Sequence, residues 1–127
     1  MILIDTSILI DYFRKSEKTK TAFFRLIKRY PDIAVSALTK YEIIVGSSSL
    51  QDEFWASLFE SVVLLPFGDE VAVTTAKIKR DLVRKNQQIG FADMAIAATA
   101  LVYDMQLATL NVKHFSRVEG LVVVDLE

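Results

Sequence analysis

Three acids stand where an α/β chain can collect its chemistry. Asp5 directly follows the apolar run Ile2-Leu3-Ile4, Glu42 lies in Tyr41-Glu42-Ile43, and Asp93 opens the stretch Phe91-Ala92-Asp93-Met94-Ala95-Ile96-Ala97-Ala98-Thr99-Ala100. Carboxylates that converge from distant parts of a chain can surround a hard divalent cation, which prefers oxygen donors. The chain has no cysteine and a single histidine, His114, so thiolate sites and zinc sites with two or three imidazoles are excluded. Any metal must be held mainly by oxygen, which favours magnesium or manganese.

Each acid also has a structural reading. Asp5 falls at the carboxyl end of a strand, the edge where open α/β sheets bind ligands; an Asp there can equally cap the next helix or sit in a turn, although Thr6 and Ser7 would cap as well. Thr39-Lys40-Tyr41-Glu42 fits a capping box in which Glu42 accepts from the Thr39 amide, or else Glu42 sits in the first turn of a helix and leans towards Asp5. The helix dipole favours an acid such as Asp93 in a first turn by about 0.3–1 kcal/mol. Small residues at 95, 97, 98 and 100 nevertheless make this helix central, and a carboxylate at its deep amino end is better explained by a cation than by solvent.

Asp104 lies eleven residues beyond Asp93, near the same helical face but about 16 Å further along the axis, so the two cannot share an ion. Asp11 is similarly displaced from Asp5 and reads as structural or supporting. Asn111, after Thr109-Leu110, supplies a neutral oxygen to a metal or water network, or is a turn residue. His114 either contacts a ligand or is incidental.

Positioning these residues requires strands and helices in alternation. Ile2–Ile4 is apolar without alternation, as in a strand buried on both faces, and Ile8, Leu9, Tyr12 and Phe13 then follow at helical spacing. Helices are expected over about 18–29, with Ala22, Phe23, Leu26, Ile27 and Tyr30 inward, then over 39–45, 51–61, 69–85 and 92–103. In the helix from Asp69, the inward set is Val71, Ala72, Thr75, Ile78 and Leu82. Strands are expected at 33–35, 62–65, 107–110 and 121–124. Five short strands alternating with helices imply a mainly parallel sheet in an α/β sandwich.

Composition sets wider bounds. At 127 residues and 52% apolar, the chain is a single-domain length with enough apolar surface for a core. A formal charge of −1 does not advertise a nucleic-acid binder, but an acidic site lowers the total while basic patches elsewhere hold the strand. The amino end has no basic leader and no long apolar run before Asp5, so neither a signal peptide nor a membrane span is expected and the default location is cytoplasmic.

Taken in order, four segments resemble the PIN-domain ribonucleases, in particular the VapC toxins of type II toxin–antitoxin pairs. They are Ile2-Leu3-Ile4-Asp5-Thr6-Ser7-Ile8-Leu9-Ile10-Asp11; Tyr41-Glu42-Ile43 with Gly46 after it; Gly90-Phe91-Ala92-Asp93 running into Ile96-Ala97-Ala98-Thr99-Ala100; and Leu107-Ala108-Thr109-Leu110-Asn111-Val112-Lys113-His114-Phe115. The resemblance implies one PIN domain over 1–127, a three-layer α/β/α fold with a central, mainly parallel five-stranded sheet, and an acidic pocket for magnesium, with manganese as substitute. It further implies endonucleolytic RNA cleavage, a homodimer, and a VapB-type antitoxin whose tail fills the pocket. Asp5, Glu42 and Asp93 match the family acids; Asn111 stands where a fourth usually falls, which puts a tightly held second metal in doubt.

On that resemblance, Asp5 and Asp93 are the principal metal ligands, Glu42 binds through water or orients the attacking water, and Asn111 and Thr6 complete the network. A metal so held lowers the pKa of water and polarises the phosphate, leaving 5′-phosphate and 3′-hydroxyl ends. Basic side chains must then hold RNA around the acids: Lys77, Lys79, Arg80, Arg84 and Lys85 are one candidate group, with Arg14, Lys15, Lys18 and Lys20 another, although such charges are often only a solvated face. The alternative is a catalytically weakened PIN-like domain that binds RNA or a partner protein. A haloacid-dehalogenase-like phosphatase would want Asp where Ser7 stands, and no phosphate-binding glycine pattern is present.

Overall fold

The short apolar runs become parallel strands, and the amphipathic segments between them become the helices that cover both faces. The computed structural model describes residues 1–126; Glu127, the last residue of the expected domain, lies outside them. The order is β1 (Ile2–Ile4), α1 (Thr6–Arg14), α2 (Ala22–Arg29), β2 (Ile33–Ser36), α3 (Ala37–Gly46), α4 (Asp52–Glu60), β3 (Val63–Leu65), α5 (Asp69–Arg84), α6 (Phe91–Val102), β4 (Leu107–Ala108) and α7 (Val112–Phe115), with short 3-10 turns at Lys18–Lys20 and Ser49–Gln51. The strands pair in the order β3-β2-β1-β4, every pairing parallel.

Period-two alternation divides the sheet between two cores. Ile2, Ile4, Ile33 and Val35 face Ile8, Leu9, Phe23, Leu26, Trp55 and Phe59 of α1, α2 and α4. Leu3, Ala34 and Leu107 face Val71, Ile78, Leu82, Met94 and Ile96 of α5 and α6, with Phe115 of α7. This is the expected three-layer α/β/α arrangement. Ala95, Ala97, Ala98 and Ala100 are fully buried, so α6 is central because its small side chains let neighbours approach closely. Among the described residues, no helix is long and apolar enough to cross a membrane.

Several expectations are corrected. Among the described residues the sheet has four strands, because residues 121–124 make only an isolated bridge there, Leu107 to Val123. β4 ends at Ala108, since Thr109 turns its hydroxyl onto Asp5. That leaves Leu107 alone to exchange backbone bonds with Val122 and Val124. Helix α3 begins at Ala37, capped by the Ser36 hydroxyl. Residues 18–20 form a separate turn, and Thr21 caps α2. Ile27 and Ala72, expected inward, are exposed.

Asp11 is a structural residue that ties α1 to α2. Its carboxylate accepts from the Ala22 amide at 3.3 Å and pairs with Lys15 at 2.8 Å. Burial works against its ionisation, but these bonds and the charges of Lys15 and Arg25 outweigh it and hold the group below its ordinary value.

Candidate active site

Asp5 sits immediately past β1, at the sheet's carboxyl edge, and is only 3% exposed. It is also the cap of α1: Oδ1 accepts from the Ile8 amide at 3.4 Å. The capping reading therefore holds for this residue, while Thr6 and Ser7 lie inside the helix. The Ser7 hydroxyl donates to Oδ1 and the Thr109 hydroxyl to Oδ2, each at 2.6 Å. Each hydroxyl has one proton and spends it on Asp5, so its lone pairs accept from the chain: Ser7 from the Leu110 amide at 3.0 Å, Thr109 from the Asn111 amide at 2.8 Å.

Burial pushes the Asp5 carboxyl above its ordinary value; the bonds from Ser7, Thr109 and Ile8 oppose that, and the negative charge of Asp93 adds to it. Asp93, in the first turn of α6, is thus within electrostatic reach of Asp5 although 88 positions separate them. Asp5 and Asp93 are the two acids that this interaction couples.

Glu42 joins from the other side. Its Oε1 accepts from the Thr6 hydroxyl at 2.6 Å, and the Thr39 hydroxyl lies 3.1 Å from Thr6. Because Thr6 has one proton and gives it to Glu42, Thr39 is the donor in the second contact. The Thr39–Glu42 capping box does not form: α3 begins two residues before Thr39, which leaves Glu42 for the site. On the β4 side, His114 Nδ1 is 2.8 Å from Asn111 Nδ2 and 3.4 Å from Asp93 Oδ2, linking the Asn111 corner to the acid pair.

Among the described residues, no group of three or more His, Cys, Asp or Glu side chains lies close enough to hold an ion in common. The donor set still fits a hard cation: two carboxylates, one of them buried and within electrostatic reach of the other, leave most of the coordination sphere to water and substrate oxygens. That is how magnesium is usually held.

The basic candidates separate. Lys18 closes α1 by donating to the Tyr12 and Phe13 carbonyls, and Lys15 and Lys20 pair with Asp11 and Glu17. Arg14 shares a groove of about 320 Å³ with Glu42, Ile10, Phe13, Ile43 and Trp55. Lys77, Arg80 and Arg84 are exposed on α5 and line other depressions; Arg84 and Lys85 both pair with Asp81. Sequence reasoning did not single out Ser7 and Thr109 as site residues. Their one signal was a hydroxyl residue just past each of two strands.

Fold and site together define a small α/β domain with an acid pair at the carboxyl edge of a parallel sheet, and residues 2–121 match the PIN domain family. The chain belongs to that family, within its VapC ribonuclease branch. The ribonuclease VapC1 of Rickettsia felis is 35% identical over 98% of this chain and 96% of its own length. The ribonuclease VapC1 of Methanocaldococcus jannaschii is also 35% identical, over 98% of this chain and 87% of its own. Among solved structures, VapBC-1 of nontypeable Haemophilus influenzae has a chain that superposes with a TM-score of 0.84 at 28% identity, covering 99% of this chain and 98% of that one. A chain of Rickettsia felis VapBC2, solved bound to a promoter DNA fragment, gives 0.83 at 23% identity, covering 98% of each chain, a likeness of fold. PIN-domain ribonucleases generally depend on a divalent metal.

Proposed function

We propose that this chain is a magnesium-dependent endoribonuclease, with manganese able to substitute, and the toxin of a VapBC-type module. The observation that carries this reading is the buried Asp5 carboxylate at the end of β1, held by Ser7 and Thr109 and within electrostatic reach of Asp93. Asp5 and Asp93 would hold the cation. When bound, it supplies a more acidic water and neutralises charge on the phosphate oxygens.

The chain's own residues do the rest. Ser7 and Thr109 fix both oxygens of Asp5, so the carboxylate needs little reorganisation before reaction. Thr6 aims Glu42, which orients the attacking water. Asn111 and His114 border the phosphate on the β4 side. Lys77, Arg80 and Arg84 contact backbone phosphates outside the groove. A VapB-type antitoxin tail suits the groove of Ile10, Phe13, Ile43 and Trp55, where apolar lining surrounds Arg14 and Glu42. The chain acts as one domain and as a homodimer.

The test is cleavage of single-stranded RNA with magnesium or manganese, with end analysis of the products. Asp5→Asn and Asp93→Asn should abolish it while circular dichroism stays native; cleavage that persists in chelator, or in both variants, refutes the reading. A second reading, a binding module for RNA or a partner protein, is favoured by the lack of a three-carboxylate group among the described residues. Calorimetric titration with manganese separates the two, since a degenerate site takes up no ion.

A further inference from the structure

Phe67 and Phe91 meet at a centroid distance of 6.0 Å with a tilt of 56°, and they are 38% and 57% exposed. Neither belongs to a core. Among the described residues, every other ring pair includes a member or neighbour of the first core, so this pair alone is not accounted for by packing. Its position is specific. Phe67 follows the carboxyl end of β3, and Phe91 opens α6 two residues before Asp93, about 3 Å along the helix axis. Both rings therefore stand at the edge of the sheet that carries the acids. Arg84 and Lys85 pair with Asp81, and Asp69 and Glu70 follow Phe67, so these rings can hold a strand by stacking and not by charge.

We propose that Phe67 and Phe91 form a stacking platform for a nucleobase of single-stranded RNA, one or two nucleotides from the phosphate that is cut. The inference rests on the ribonuclease reading. Every base offers a π-face, and stacking on exposed aromatic rings holds single strands with little sequence preference. The platform would fix the strand's register over Asp5 and Asp93.

The test uses a single-stranded oligoribonucleotide cleaved by the full-length protein, with an abasic nucleotide stepped through positions on either side of the cut. The proteins are wild type, the double variant Phe67→Leu/Phe91→Leu, and the double variant Phe67→Tyr/Phe91→Tyr. In the wild type and the tyrosine variant, one abasic position should raise KM about tenfold, the scale of one stacked base. The leucine variant should show that raised KM on intact RNA and be indifferent to the abasic position. If the wild type cleaves but the leucine variant keeps its KM or its abasic penalty, the platform is wrong and the ribonuclease reading stands. An unchanged KM with altered sedimentation would assign the rings to protein contact and likewise overturn the proposal. If the wild type cleaves no RNA with any divalent metal, both readings fall.

Discussion

The Thr109 hydroxyl donates to Asp5 Oδ2 at 2.6 Å, joining two residues 104 positions apart. Both are buried, and the same hydroxyl receives the Asn111 amide. Thr109→Val keeps the shape and removes both bonds, so it should destabilise the fold by about 1.5–3 kcal/mol, the scale for a hydrogen bond to a charged group, and lower cleavage. Thr109→Ser should restore most of each. Denaturant titration beside single-turnover cleavage checks this; a valine variant with wild-type behaviour in both would show that Asp5 needs no such support.

Asp5→Asn should make the metal-free protein more stable although it removes activity. The carboxyl is raised above its ordinary 3.8 by burial first, so the folded state holds this proton more tightly than the unfolded state. Stability from this group is complete below about 3.8 and is lost as pH rises through the raised value. Asparagine caps a helix as well as aspartate and carries no charge to bury. Thermal melts in chelator should show the variant a few degrees higher at neutral pH, with the gap closing towards acid. Added magnesium should raise the wild type alone. A variant that melts lower than wild type at neutral pH would mean that the hydroxyl bonds outweigh burial.

Thr6→Val should separate the orientation of Glu42 from ion binding. The valine cannot donate to Oε1, so Glu42 is released while Asp5 and Asp93 keep their surroundings. Small misplacement of a reacting group is costly, and kcat should fall roughly 10- to 100-fold, with manganese affinity by calorimetry nearly unchanged and Thr6→Ser active. Equal loss of affinity and rate would place Glu42 at the ion itself.

How far the sequence speaks differs between these residues. Asp5 and Asp93 were legible because local patterns position them: an unalternating apolar triplet before one, a run of small apolar residues after the other. Glu42 was ambiguous because Ser36 and Thr39 are both competent caps three residues apart, and only the register of α3 decides between them. The roles of Ser7 and Thr109 were hidden, since a hydroxyl's partner is set by tertiary approach rather than by spacing. The fifth strand was overestimated because apolar content at 121–124 measures burial. Pairing needs a neighbour with free backbone groups, and β4 offers only Leu107.

The basic side chains should divide by their response to salt. Arg14 shares a groove with Glu42, so Arg14→Gln should weaken RNA binding and slow cleavage together. Lys77 and Arg80 are exposed on α5 away from that groove, and a phosphate contact there is electrostatic alone. Each neutralised contact to a single strand should reduce the slope of log affinity against log salt by about 0.7. Lys77→Gln/Arg80→Gln should therefore flatten the slope by about 1.4 and leave single-turnover cleavage at saturating RNA unchanged. Affinities measured across a salt series for both variants check this. An unchanged slope in the double variant would return those two charges to a merely solvated helix face, whereas a slowed saturating rate would mean that α5 reaches the acids after all.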